Sequence, residues 1–189
     1  FSTQPVVLLT DIYGDGISQT PVTLSLFTDT NCSISAESVG LGGNTAFTNN
    51  TGYASFSSFN ATKAGSYYVK ASSSGVNSTC SSQALSVSAA SVSSLSFTTQ
   101  PAGSVSAGTL FTTQPVVFAQ DSYGNAVMVL ISLSACIDSS CNNAAQGAIS
   151  GNSINSNSSG YAVFTSVSYN KAQTIYVKAS NGMLSLNLS

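Results

Sequence analysis

Residues 1–16 read FSTQPVVLLTDIYGDG, and residues 111–126 read FTTQPVVFAQDSYGNA. The correspondence continues downstream: TGYASF at 51–56 answers SGYAVF at 159–164, and YVKAS at 68–72 returns at 176–180. Matching positions lie about 108 to 110 residues apart. A fixed long offset marks a tandem duplication, and a chain written as copies works through length, spacing and surface rather than one catalytic pocket. The 189 residues therefore divide into two domains, 1–90 and 91–189, each the size of a small β-domain.

Within each copy the apolar residues alternate. Val22, Leu24 and Leu26 correspond to Val129, Ile131 and Leu133, with polar residues at several intervening positions. Period two describes a half-buried strand, because successive side chains leave opposite faces. Tyr67, Val69 and Ala71 likewise match Ile175, Val177 and Ala179, which puts Tyr68 and Lys70, with Tyr176 and Lys178, on the outward face. Turn residues separate these runs at short intervals: YGDG and YGNA after the first motif, NNTG and NSSG before GYA, SSSG and SNG near each end. No stretch has the apolar period of an amphipathic helix. Many short strands joined by Gly, Asn and Ser turns predict an all-β chain of two antiparallel β-sandwiches with Greek-key connections.

Composition narrows the function classes. Only 5% of residues are charged, against about 25% in an ordinary soluble protein. Ser and Thr together make up 57 of the 189 residues, with 15 Asn besides, so hydroxyl and amide groups supply the polar surface. Six acids oppose four lysines and there is no arginine, which leaves no footprint for phosphate backbones and argues against nucleic-acid binding. No apolar run reaches the ~20 residues of a membrane span. The chain opens with Phe1 rather than Met, from which a processed product or a part of a longer chain is expected.

Cys32, Cys80, Cys136 and Cys141 allow three complete pairings. Cys136 and Cys141 bracket IDSS, a turn-forming run, which favours a local disulfide over free thiols or a zinc site. Cys32 is then left for Cys80. One bond in each half suits an oxidising compartment.

The run SLSFTTQPAGSVSAGTLFTTQPVVFAQDSYGNAV at 94–127, followed by SGYAVFTSVSYNKAQTIYVKAS at 159–180, resembles the bacterial Ig-like repeats found in tandem in large secreted and cell-surface proteins, adhesins included. The resemblance implies two Ig-like domains serving as stalk, spacer, fibre unit or binding tip, without naming a ligand. The two copies differ in one respect. Copy two carries a lead-in, Ser94 to Leu110, with the strand-like SLSF ahead of its FTTQPVV, and copy one has no counterpart. Domain 1 is expected to lack its first strand, leaving a groove that a strand from upstream or from a neighbouring subunit fills.

Catalysis finds few candidate groups. The chain has no histidine and a single glutamate, Glu37, so the usual base for a serine or thiol nucleophile and the paired carboxylates of a glycosidase are both missing. A Ser-Lys arrangement would have to draw on Lys63, Lys70, Lys171 or Lys178, which sit at repeated strand or loop positions, so no enzyme is expected. Asp11 with Asp15, and Asp121 with Asn125, have oxygen spacing that calcium could use, but the simpler reading is an Asp side chain holding the backbone amides of a turn. An isopeptide bond lacks acids to complete it. No cofactor is expected.

The sequon N-x-S/T occurs at Asn31, Asn49, Asn60, Asn77, Asn157 and Asn187. Asn49 and Asn157 share one place in the repeat, in the turn before GYA, where a glycan would project into solvent. Tyr53, Tyr68, Tyr161 and Tyr176 offer outward rings for sugar stacking or contact with a neighbouring chain. Together these features point to an extracellular structural module of a surface fibre, pilus-like filament or adhesin stalk, with copies of itself as partner. The alternative is an adhesin module that binds a carbohydrate or a host protein. An accessory domain of a carbohydrate-active enzyme is the third reading.

Overall fold

The computed structural model describes residues 3–182 and contains no helix among them. The chain divides into two compact units, Phe1–Ser88 and Ala89–Ser189. Unit 1 is built from β1 (Val6–Leu8), β2 (Pro21–Phe27), β3 (Leu41–Gly42), β4 (Thr45–Phe47), β5 (Tyr53–Ser55), β6 (Asn60–Ala61), β7 (Gly65–Ser72), β8 (Thr79–Cys80) and β9 (Leu85–Val87). Unit 2 follows with β10 (Ser94–Thr99), β11 (Val116–Gln120), β12 (Leu130–Cys136), β13 (Ile149–Ser150), β14 (Ser153–Asn155), β15 (Tyr161–Val163), β16 (Ser168–Tyr169) and β17 (Tyr176–Ser180). Every strand pair is antiparallel.

Each unit centres on one long pair. In unit 1, β2 runs against β7 with Leu24 opposite Ala71 and Leu26 opposite Val69. In unit 2, β12 runs against β17 with Leu133 opposite Ala179 and Ala135 opposite Val177. The alternating apolar side chains of these strands point to one face, where Val22, Leu24, Leu26 and Tyr67 meet Leu9, Ala54 and Phe56 in a single buried cluster. Ile131 and Leu133 meet Val117, Ala119, Ala162 and Phe164 in the same way. Burying a Leu or Ile side chain contributes about 1.5–3 kcal/mol, so these two clusters supply the main folding force of each unit.

Tyr68 and Lys70 are half-buried rather than free on the outward face. Strand β8 pairs across Lys70, and the Lys70 ammonium lies 5.3 Å from the centre of the Phe27 ring, so the aliphatic stem covers apolar surface while the charge faces a π-system. Tyr176 keeps its outward exposure.

The TQP motif explains itself in the structure. Gln4 Oε1 accepts the Phe59 N–H at 2.9 Å while its Nε2 donates to the Phe59 carbonyl at 3.2 Å. Gln114 repeats this on Val167, at 2.8 and 3.1 Å. A side-chain amide has the donor and acceptor of a peptide unit, so it satisfies a backbone that no strand reaches. The glycine of GYA is equally constrained. Gly52 and Gly160 have φ of 83° and 82°, and a Cβ would stand 2.6 Å from Leu9 O and 2.7 Å from Ala119 O, so only glycine fits.

Candidate functional site

The first motif ends in a turn organised by one aspartate per unit. Asp11 Oδ1 accepts the N–H groups of Tyr13 and Asp15, both at 2.9 Å. Asp121 Oδ1 accepts those of Tyr123 and Asn125 at 2.8 and 2.9 Å, and its Oδ2 accepts the Asn125 side-chain amide at 2.8 Å and the Ala90 N–H at 2.9 Å. Both oxygens of Asp121 are therefore occupied by N–H donors, the arrangement of a structural turn and not of a cation ligand. Among the described residues no group of three or more His, Cys, Asp or Glu stands together.

Asp121 is only 2% exposed. Burial pushes its carboxyl up, but the Asn125 side chain and the amides of Ala90, Asn125 and Tyr123 together pull it from 3.8 down to about 2. A depressed folded-state value means that the stabilisation is present above 3.8 and is lost as the pH falls towards 2. The difference in unit 2 stability between wild type and D121N should therefore shrink across that interval, measured by thermal melts at stepped pH. A difference that stays constant down to the lowest pH would remove this role for the charge. At neutral pH, Asp121→Ala should cost unit 2 about 3 kcal/mol, and Asp11→Ala should cost unit 1 less than about 1 kcal/mol, because only the former strands buried donors.

A second acid device recurs in the loops after β2 and β12. Asp29 accepts the amides of Ser33 and Ile34 at 3.0 and 2.7 Å, and Asp138 those of Asn142 and Asn143 at 3.1 and 2.9 Å. The Ile34 amide leads in holding the Asp29 carboxyl below its ordinary range, and the Asn142 amide does the same for Asp138. Each loop carries a cysteine at the same place in the repeat, with φ of 51° at Cys32 and 54° at Cys141. Cys32 bonds Cys80 across 6.0 Å between Cα atoms, and Cys141 bonds Cys136 across 5.0 Å. Cys136 stands opposite Tyr176, as Phe27 stands opposite Tyr68. Unit 2 thus draws the partner of its loop cysteine from the end of β12, and unit 1 draws it from β8.

The sequon asparagines among the described residues, Asn31, Asn49, Asn60, Asn77 and Asn157, are exposed. Asn49 Oδ1 accepts the amides of Thr51 and Tyr53 and the Thr51 hydroxyl at 2.9, 3.0 and 2.8 Å. Asn157 does the same for the amides of Ser159 and Tyr161, both at 3.0 Å. Both side chains thus cap the turn through the carbonyl oxygen. Asn60 donates to Ser58 O at 2.9 Å, and Asn31 and Asn77 lie exposed in loops. Asn187 lies outside the described residues. Tyr53 and Tyr161 are exposed on β5 and β15, and Tyr161 tilts against Phe118 with ring centres 4.9 Å apart.

Among the described residues, two places on the sheets differ between the units. In unit 2, β11 is flanked on one side by β15 and on the other by β10. In unit 1, β1 pairs with β5 alone, and no described strand lies on its other side. Conversely, β9 covers the start of β7 in unit 1. The corresponding part of unit 2 borders a groove of about 590 Å³ lined by Phe97, Phe111, Tyr169, Ile175 and Tyr176.

These features define an all-β, antiparallel, disulfide-bonded protein of two related units. Its two disulfides fit an oxidising environment such as the cell exterior. No helix among the described residues is long and apolar enough to cross a membrane. The chain matches no protein-family model, no curated protein and no solved structure.

Proposed function

We propose that the chain is an extracellular structural module, two tandem Ig-like sandwiches that act as beads of a surface fibre, pilus-like filament or adhesin stalk, with further copies of itself as neighbours. The observation that carries this reading is the repetition of scaffold devices in both units: the glutamine clamp, the aspartate turn, the aspartate-held cysteine loop and the GYA glycine. Residues repeated at matching places of the two copies serve rigidity in each unit, which is what a linear array needs from its parts. The scarcity of charge leaves hydroxyl and amide groups for contact with neighbours and for glycans, with Asn49 and Asn157 as the preferred acceptors. No catalytic role is assigned. Negative-stain imaging of the native material tests the reading. Fibres with a regular axial repeat are expected, and dispersed particles at all concentrations would overturn it.

A second reading, binding of a carbohydrate or host protein, draws on the unit 2 groove and the exposed Tyr176 at its margin. Glycan binding that Tyr176→Ala abolishes, by particles that do not polymerise, would favour it over the fibre.

A further inference from the structure

Unit 2 contains the template for what is open in unit 1. Strand β10 lies along β11 with Leu95 opposite Ala119 and Phe97 opposite Val117, and Val92, Leu95 and Phe97 pack against the unit 2 core. Just upstream, Ser93 N–H donates to Gln120 O at 2.9 Å and Ala90 N–H donates to Asp121 Oδ2 at 2.9 Å. One extended segment, 89–99, thereby supplies edge hydrogen bonds, core side chains and a donor to the turn aspartate.

Unit 1 presents the matching acceptors without the segment. Leu9 N–H donates to Gly52 O and Pro5 O accepts from Phe56 N–H, at 2.9 and 3.1 Å, so these residues point towards β5. Alternation then turns the backbone groups of Val6, Leu8 and Thr10 to the opposite edge. Asp11 keeps Oδ1 for its own turn, and no described residue stands to its Oδ2 as Ala90 stands to Asp121. Val7 is half-buried where its counterpart Val117 is fully buried, and Val6 and Leu8 are 60% and 49% exposed. A bare edge beside an under-covered core is a seat for strand addition.

We propose that the free edge of β1 binds a strand with the pattern of Ala89–Thr99, contributed by a neighbouring repeat unit of the same kind, with its leucine opposite Leu9 and its phenylalanine opposite Val7. The turn aspartate Asp11 receives the leading amide of that strand through Oδ2. Side-chain spacing sets the register, because a slip of one residue would turn both apolar side chains to solvent. The inference rests on comparing the two units and not on the fibre reading. A strand that fails to bind would leave the imaging result untouched, and the reverse also holds.

Backbone amide exchange in the full chain tests it. In the chain alone, Val6 and Leu8 should exchange at least 100-fold faster than Val116 and Phe118. Adding a peptide with the sequence of residues 89–99 should slow Val6, Leu8 and Thr10 at least 10-fold. The same peptide carrying serine at the places of Leu95 and Phe97 should leave them unchanged. A chain extended ahead of Phe1 by a copy of residues 89–110 delivers the strand covalently and should give the same protection irrespective of peptide solubility. The proposal is overturned if Val6 and Leu8 are already protected in the chain alone, if neither peptide nor extension protects them, or if the serine versions protect equally.

Discussion

Replacing Cys32 and Cys80 by serine is expected to destabilise unit 1 by about 4 kcal/mol, twice the cost of removing the Cys136–Cys141 bond from unit 2. The Cys32–Cys80 bond spans 48 residues and the other spans 5. A cross-link restricts the unfolded chain in proportion to the logarithm of the loop it closes, which gives about 4 kcal/mol for the long loop and about 2 for the short one. The folded state adds to the difference. Strand β8 has two residues and pairs with β7 alone among the described strands, so the bond to Cys32 ties it down, whereas Cys136 already lies in the seven-residue strand β12. A domain of this size has about 5–15 kcal/mol in total, so unit 1 should lose much of its margin. Urea titration followed by amide signals assigned to each unit measures both changes. Equal losses in the two variants, or a loss below about 1 kcal/mol for the long bond, would refute the loop argument.

The strands were legible in the sequence where a period persists and turn residues bound it. Val22, Leu24 and Leu26 alternate over a full strand, and Leu24 and Leu26 are among the most deeply buried side chains. The YGDG and YGNA turns were readable from Asp and Gly, since an Asp carboxylate shortly before a glycine is a common way to cap two backbone amides of a turn. What escaped were polar residues that act through the backbone. For Gln4 and Gln114 the sequence offers only their shared place in the TQP motif, which does not say that they clamp Phe59 and Val167. The roles of Asp29 and Asp138 were not legible, because their amide donors lie four and five residues on with no glycine between to mark the turn. The cover over Lys70 was hidden because β8, a two-residue strand, has no periodicity to read. The donor to Asp121 was equally invisible: Ala90 comes from 31 residues upstream, and an alanine amide carries no signature.

Phe59→Ala should be the most damaging single substitution in unit 1, costing about 3–5 kcal/mol, while leaving the amide signals of unit 2 in place. The Phe59 side chain is 1% exposed and meets the edge of the Phe56 ring at 6.5 Å between centres. Its removal forfeits the transfer free energy of a whole ring and leaves a cavity that the neighbouring strands cannot collapse into. Its own backbone N–H donates to Gln4 Oε1 and its carbonyl accepts from Gln4 Nε2, so the main chain cannot relax inward. The counterpart in unit 2 is Val167, also fully buried, and Val167→Ala should cost only about 2 kcal/mol because two methyl groups are lost instead of a ring. Unit 2 also has Leu95 and Phe97 from β10 packed on its core, so a smaller share of its burial rests on this position. Thermal or urea unfolding read separately for each unit decides the matter. The two units have separate core clusters, so simultaneous loss of both sets of signals would show that they fold as one cooperative body. A Phe59→Ala cost no greater than that of Val167→Ala would refute the weight assigned to the aromatic pair.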